Sequence, residues 1–205
     1  TSASRIIGAL VNDPNNYDQI ESVYFNKKRA SKSKNSNKKL VEPDDSSNFA
    51  KKIFEGSSFV VQEMDAASNR GIDDIRQLKT KAFMPPQTGK MSVFILDEAH
   101  MLTTEAFNAL LKLLEEPPEH TIFILATTEI HKIPATITSR CQTIEVHKAT
   151  NKELLNTLKQ ILINEKIKFE EEALEIIIKR ADGSFRDAIK LLEMTAQAGK
   201  VTIKE

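Results

Sequence analysis

A single cysteine, Cys141, stands in the 205 residues of this sequence. One thiol builds neither an internal disulfide nor a four-ligand structural zinc site, and it fits a reducing, intracellular setting. Net charge is missing too: Lys plus Arg and Asp plus Glu both number 29, so the formal balance is zero. The chain as a whole does not advertise nucleic-acid binding, and any DNA contact has to come from a local patch. No apolar run approaches the roughly 20 residues that a membrane span needs. The opening Thr1-Ser2-Ala3-Ser4-Arg5 lacks an initiator Met and has no secretory apolar core behind it, so the chain reads as a fragment of a cytoplasmic protein. What is present is a globular composition. With 40% hydrophobic residues against 28% charged, the chain can pack one large domain, or a domain with a small satellite.

Along the chain, short apolar runs alternate with amphipathic stretches. Ile6, Ile7 and Leu10 share one face of a helix over residues 2–10, and Asn12-Asp13-Pro14-Asn15-Asn16 breaks it. Residues 26–40 carry seven Lys or Arg and no acid, mixed with Ser and Asn, and read as a solvated loop; contact of this loop with DNA is the sharper alternative. A helix over 47–54 leads to a strand over 59–64. Polar caps at Asp65 to Asn69 then open a helix through Phe83. Residues 92–96 and 121–126 are apolar runs too short for helices, as buried parallel strands are. Between them an amphipathic helix runs over 103–116 until Pro117-Pro118 stops it. A short helix over 134–139 and an alternating strand over 142–146 follow. This order predicts an α/β domain with a mainly parallel sheet over 1–147. After His147, three amphipathic segments over 151–165, 169–181 and 184–198 predict a small all-helical domain over 148–205.

Four short motifs carry chemistry. Val93-Phe94-Ile95-Leu96-Asp97-Glu98-Ala99-His100 delivers two carboxylates at the tip of an apolar strand, the Walker B arrangement. Ligands of open α/β sheets sit at that edge. Asp97 would hold Mg²⁺, and Glu98 would polarise the water that attacks a γ-phosphate. The bland alternative is a pair that caps a helix after any buried strand. Thr127 and Thr128 end the next strand, where a hydroxyl reaches a phosphate or only caps a turn. Arg140, in Ser139-Arg140-Cys141, suits either an arginine finger offered to a neighbouring subunit or a surface ion pair. Arg186 follows a Gly-Ser cap in the helical segment, and either reaches phosphates or stands exposed.

The running order of these motifs is that of an oligomeric AAA+ ATPase, and longer stretches resemble one family of them. Asp65-Ala66-Ala67-Ser68-Asn69-Arg70-Gly71-Ile72-Asp73 is similar to a signature of the gamma/tau subunits of bacterial DNA polymerase III. So are Asp97 through Lys112 with Leu114-Glu115-Glu116-Pro117-Pro118, and Leu125-Ala126-Thr127-Thr128-Glu129 through Cys141. The resemblance is dense from about residue 54 to 199. It implies a RecA-like AAA+ domain with a helical lid, in a subunit of a five-membered clamp loader. That machine uses ATP to open a ring-shaped sliding clamp and place it on primed DNA in replication. The resemblance assigns Asp97 and Glu98 the Mg²⁺ and catalytic roles, Thr128 with Thr127 the sensor, Arg140 the finger and Arg186 the lid sensor. It implies DNA contacts at Arg70, Arg76 and Lys112, on or near helices that face inward in related loaders.

Two departures qualify the resemblance. Thr1 matches the Mg²⁺-coordinating hydroxyl at the end of the family's phosphate loop, whose glycines and lysine, with the first strand, would precede it. The fragment alone is expected to bind ATP poorly. The family's four zinc cysteines are also absent. The basic stretch within 26–46 stands in their place as a flexible loop, so ATP and Mg²⁺ are the expected cofactors and zinc is not. The competing readings are a delta-prime-like subunit that hydrolyses nothing but lends its arginine finger, and a helicase, which would lack the Ser-Arg-Cys and lid patterns. The expected partners are the other clamp-loader subunits, the clamp and primed DNA, at the nucleoid.

Overall fold

A computed structural model of the chain describes residues 2–21, 25, 40–44, 47–196 and 199–202. Thr1 and the basic stretch 26–39 lie outside the described residues. The chain divides into two compact units, residues 1–143 and 144–205.

The first unit is built around three parallel strands in the order β1 (Val61–Asp65), β2 (Ser92–Asp97), β3 (Thr121–Leu125). Parallel neighbours need crossovers, and helices supply them. Helix α4 (Ile72–Ala82) joins β1 to β2, and α5 (Thr104–Glu115) joins β2 to β3. Before β1 come α1 (Ser2–Asn12), the short α2 (Tyr17–Ile20) and α3 (Asn48–Phe54); α6 (Ala135–Thr138) follows β3.

β2 is central, and its side chains alternate between two cores, as a strand's period of two requires. Phe94 and Leu96 join Ile75 and Leu78 of α4, Phe107 and Leu110 of α5, and Ile137 of α6. Val93 and Ile95 face the other way, onto Ala9 of α1, Ile53 of α3 and Val61 of β1. Phe94 stacks on Phe123 of β3 with centroids 5.6 Å apart. Gly8 lets α1 lie close on β1: a Cβ there would stand 2.6 Å from Val61 Cγ2.

Buried polar contacts fix the entry to β2. Asn12, fully buried at the end of α1, donates to the carbonyls of Gly8 (3.1 Å) and Met91 (2.9 Å) and accepts from the amides of Lys90 and Met91, both at 2.9 Å. Gly89 is constrained by the same side chain, since a Cβ on its left-handed backbone would meet Asn12 Oδ1 at 2.5 Å. Asn16 exchanges hydrogen bonds with Val41, and Asp13 accepts from the amide of Asp44. Residues 40–44, at the end of the expected loop, are therefore pinned to the α1–α2 junction. Arg5 of α1 grips Glu63 of β1 through two hydrogen bonds of 2.5 and 2.8 Å and donates to the carbonyl of Phe54 at 2.6 Å.

Two elements of the first unit differ from the sequence expectation. The polar run Asp65 to Asn69 does not cap α4. Asp65 accepts from the Ala67 amide and the Ser68 hydroxyl and closes a turn. The helix starts later, where the Gly71 amide donates to Asp74 Oδ2 at 3.0 Å. The strand expected over 142–146 does not form among the described residues, although its alternation suits one. A strand needs a hydrogen-bonding neighbour, and the described part of β3 pairs only with β2. Ile144 and Val146 are accordingly 70% and 80% exposed.

The second unit packs α7 (Asn151–Asn164), α8 (Glu171–Ala181) and α9 (Phe185–Ala196) around Leu154, Leu158, Leu162, Leu174, Ile178 and Leu192. The Thr150 hydroxyl caps α7 and Glu153 reaches back to the Thr150 amide at 2.8 Å. A two-residue parallel pairing supplements the helices: β4 (Lys168–Phe169) pairs with β5 (Lys200–Val201), so α8 begins at Glu171 rather than at Phe169.

Asn12→Ala removes four hydrogen bonds at a fully buried position and should destabilise the first unit by about 2–4 kcal/mol, read as a shift in denaturant midpoint. Glu63 tests the α1–β1 clamp. Its hydrogen bonds from Arg5 hold the Glu63 carboxyl below the usual glutamate range. A carboxyl depressed in the folded state stabilises above its unfolded pKa and stops doing so as pH falls through the folded value. Glu63→Gln should therefore be less stable than the parent near neutrality, with the difference vanishing in acid; thermal melts at both pH values check it.

Candidate functional site

The C-terminal tips of the three strands lie side by side. Asp65 of β1 is in register with Asp97 of β2, and the Ala66 amide donates to the Asp97 carbonyl at 2.9 Å. On the other side, Ala126 donates to the Leu96 carbonyl and accepts from the Ala99 amide, both at 2.9 Å. The turn after β2 is thus stitched to the exit of β3.

Glu98 makes that turn possible. Its backbone is left-handed, with φ 49° and ψ 43°, a conformation few non-glycine residues take and one that concentrates at functional sites. It reverses the chain into a single 3₁₀ turn, Ala99–Met101, which drops Ala99 into the core and brings His100 back toward β3. The Glu98 amide donates to Asp97 Oδ1 at 3.2 Å. Oε2 of Glu98 is buried and makes no hydrogen bond; the nitrogen facing it, His100 Nδ1, is 3.4 Å away, within ion-pair distance but outside hydrogen-bond geometry.

His100 is the hub of the cluster. Its side chain is only 8% exposed. Nδ1 shares a hydrogen bond of 3.0 Å with the Thr127 hydroxyl, and Nε2 faces Glu129 Oε1 at 3.5 Å. Thr127 Oγ1 also accepts from the Glu129 amide at 3.0 Å. Glu129 in turn binds Lys132 at 2.7 Å and faces His131 at 3.6 Å. Lys132, chiefly by hydrogen bonding, and then the neighbouring histidines hold the Glu129 carboxyl below its ordinary value. Neither His100 nor Glu129 carries a role in the sequence reading. The signal for His100 is the Asp-Glu-x-His spacing, which becomes legible only with the left-handed turn at Glu98.

The remaining expected site residues are dispersed. Thr128 is exposed beside Thr127, so the inner hydroxyl, not the outer, joins the cluster. Arg140, just beyond α6, donates to Glu115 Oε1 of α5 and to the Thr136 carbonyl, both at 2.6 Å. Cys141 beside it is half-buried, and burial pushes its thiol upward, away from nucleophilic use. Arg186 is exposed in the first turn of α9, in the second unit. Arg70, Arg76 and Lys112 are all exposed. The Arg70 carbonyl accepts from the Thr103 amide at 3.0 Å, and Thr103 caps α5, so the N-termini of α4 and α5 lie together next to Arg70. Arg76 pairs with Asp73 on its own helix. Lys112 stands eight residues along α5 from Thr104, about 12 Å of helix rise away.

Asp97 and Glu98 fit a magnesium–nucleotide site in kind. Mg²⁺ takes oxygen ligands and keeps several waters, so the strand-tip carboxylate of Asp97 suffices from this side. Among the described residues no cluster of three or more His, Cys, Asp or Glu is arranged to enclose a metal by itself.

Comparison with known proteins gives the family of the chain. The family described as "DNA polymerase III, delta subunit" matches residues 9–150, and "DNA polymerase III clamp loader subunit, ATPase lid domain" matches residues 153–199. DNA polymerase III subunit tau of Bacillus subtilis (strain 168) is 49% identical over 152 residues, 74% of this chain and 27% of the relative. The tau subunit of Escherichia coli (strain K12) is 40% identical over 149 residues, 73% of this chain and 23% of the relative. The chain thus spans about a quarter of the length of these relatives. A gamma subunit-related protein of Thermotoga maritima superposes with a TM-score of 0.54 at 27% identity, over 72% of this chain and 48% of that one. The Thermotoga maritima RuvB Holliday junction branch migration motor shares the fold, with a TM-score of 0.60 at 20% identity over 74% of this chain and 52% of that one. A family match across most of the chain, a lid match after it and relatives of one kind agree: the chain belongs to the AAA+ clamp-loader subunits of bacterial DNA polymerase III, and its relatives are the gamma/tau subunits.

Proposed function

We propose that the chain is the motor portion of a clamp-loader subunit, which binds and hydrolyses ATP to place a ring-shaped sliding clamp on primed DNA. The observation that carries this reading is the pair at the tip of β2: Asp97 ends the strand, and Glu98 follows it beside His100, which hydrogen-bonds the Thr127 hydroxyl beyond β3. In this reading Asp97 and the Thr1 hydroxyl hold Mg²⁺, which neutralises phosphate charge when bound. Glu98 orients and polarises the attacking water, and Thr127 with Thr128 senses the γ-phosphate. Arg186 adds a cation from the lid.

Arg140 serves the next subunit. A guanidinium at a neighbour's γ-phosphate stabilises charge in the transition state, and the Glu115 bond keeps it ordered at the surface until a partner docks. The partners are the other subunits of a hetero-pentamer, the clamp and primed DNA, at the nucleoid in the cytoplasm. No helix among the described residues is long and apolar enough to cross a membrane. Zinc is not a cofactor in this reading; one cysteine leaves no thiolate set for it.

DNA would meet the joined N-termini of α4 and α5. Helix N-termini favour phosphates, and Arg70 stands at that junction. Arg76 and Lys112 extend the cationic surface along the two helices. A second reading, a delta-prime-like subunit that hydrolyses nothing, draws support from the delta-subunit description of the matching family.

Glu98→Gln in the full-length subunit, assembled with its partners, separates the two. It should lower ATP turnover at this subunit's site by about a hundredfold or more while nucleotide binding persists. Unchanged turnover would favour the delta-prime-like reading. Replacing Arg70, Arg76 and Lys112 together by Ala should weaken DNA binding and reduce the slope of log K against log salt by about two to three units, if each neutralises one phosphate. An unchanged slope removes all three from the DNA surface.

A further inference from the structure

We propose that His100 is a positioning residue that fixes the carboxylate of Glu98 against the exit of β3; this rests on the reading of Glu98 as the group that polarises the attacking water.

Three observations lead to it. The first is the unsatisfied oxygen. A buried carboxylate oxygen without a hydrogen bond is uncommon, because its desolvation is not offset. Glu98 Oε2 is in that state, with His100 Nδ1 3.4 Å away; Nδ1 carries at most one hydrogen and already bonds Thr127, so Oε2 can take only a longer second branch of that bond. The Glu98 side chain is 44% exposed as a whole, so its exposure lies on atoms other than Oε2. One oxygen is turned to the histidine while the rest of the side chain is left toward solvent.

The second observation is that the ring is held from both ends. Nδ1 is bonded to Thr127 Oγ1, and Nε2 faces Glu129, which Lys132 anchors. Both partners follow β3 directly, whereas Glu98 and His100 follow β2. The imidazole is thus a bridge from the β3 exit to the acid of β2.

The third is the backbone. A left-handed Glu98 followed by one 3₁₀ turn is what brings a side chain two residues later back beside it. An ordinary helical start at residue 98 would carry His100 to another face of the helix. The same strained residue therefore presents the acid and brings in its positioner. Displacement of Thr127 would be felt at Glu98 through one rigid ring.

The test uses the full-length subunit in its assembled complex, with ATP turnover, KM for ATP and melting temperature measured on each variant. His100→Asn keeps an amide near the position of Nδ1, and His100→Gln places its amide near Nε2. His100→Ala and His100→Gln should lower kcat about ten- to a hundredfold with KM for ATP within about twofold, because positioning acts in the transition state more than in the ground state. His100→Asn should recover most of kcat. Combining His100→Ala with Thr127→Val should cost less than the product of the single losses, since the two share one contact. Three results would overturn the proposal: unchanged kcat in His100→Ala, a raised KM with kcat intact, or equal recovery by Asn and Gln. If His100→Ala does not fold, the Asn and Gln pair decides alone. Glu98→Gln run alongside keeps the two ideas apart. Should it retain full turnover, the role of Glu98 fails and this proposal with it; should it abolish turnover while the His100 variants stay at the parent rate, only the role of His100 fails.

Discussion

Two backbone hydrogen bonds at the strand tips hold the site together. Ala126 donates to Leu96 and accepts from Ala99, so the loop leaving β3 clasps the turn leaving β2 from both sides. The Leu96 and Ala99 side chains that these bonds flank are fully buried. Given that clasp, Asp97, Glu98, His100 and Thr127 cannot be elsewhere. The packing of α4, α5 and α6 beneath Phe94 and Leu96 steadies the clasp, and α1 and α3 hold Val93 and Ile95 on the other side. The sheet's interior is what makes its edge stiff enough for chemistry.

Much of this was legible in the sequence. The run from Val93 to Leu96 has no polar residue and is too short for a helix, so it reads as a strand buried on both faces, and β2 is one. Thr103 with the apolar spacing of residues 106, 107, 110 and 113 reads as a capped helix, and Pro117-Pro118 as its end. Where the reading missed, hydrogen bonding had decided, local in the first case and long-range in the others. Asp65 to Asn69 look like caps but close a turn on Asp65 itself. The alternation from 142 to 146 satisfies strand propensity and still forms no strand, because propensity supplies no neighbour. The start of α8 moved because Phe169 found a partner in Val201, more than thirty positions away.

The candidate site divides the same way. Asp97 and Glu98 stand out in one dimension because an apolar strand ending in two acids is a strong local pattern. His100 does not, since its role depends on a dihedral at the preceding acid and on a hydroxyl 27 positions downstream. Arg140 was identified as a cation at an edge, but its hold by Glu115 needs α5 and α6 packed side by side. Membership of the clamp-loader family follows from long matched stretches. What individual side chains do follows from contacts, and the two kinds of knowledge are independent.

The left-handed backbone at Glu98 has a consequence for how such a chain can be improved. A glycine there would adopt the same φ and ψ without steric penalty and would by that alone make the fold more stable, by about 1 kcal/mol. It would also remove the acid. A change chosen for thermal resistance alone would therefore favour a sturdier protein that lacks this carboxylate, and Glu98 marks a place where the chain accepts weaker folding to present one.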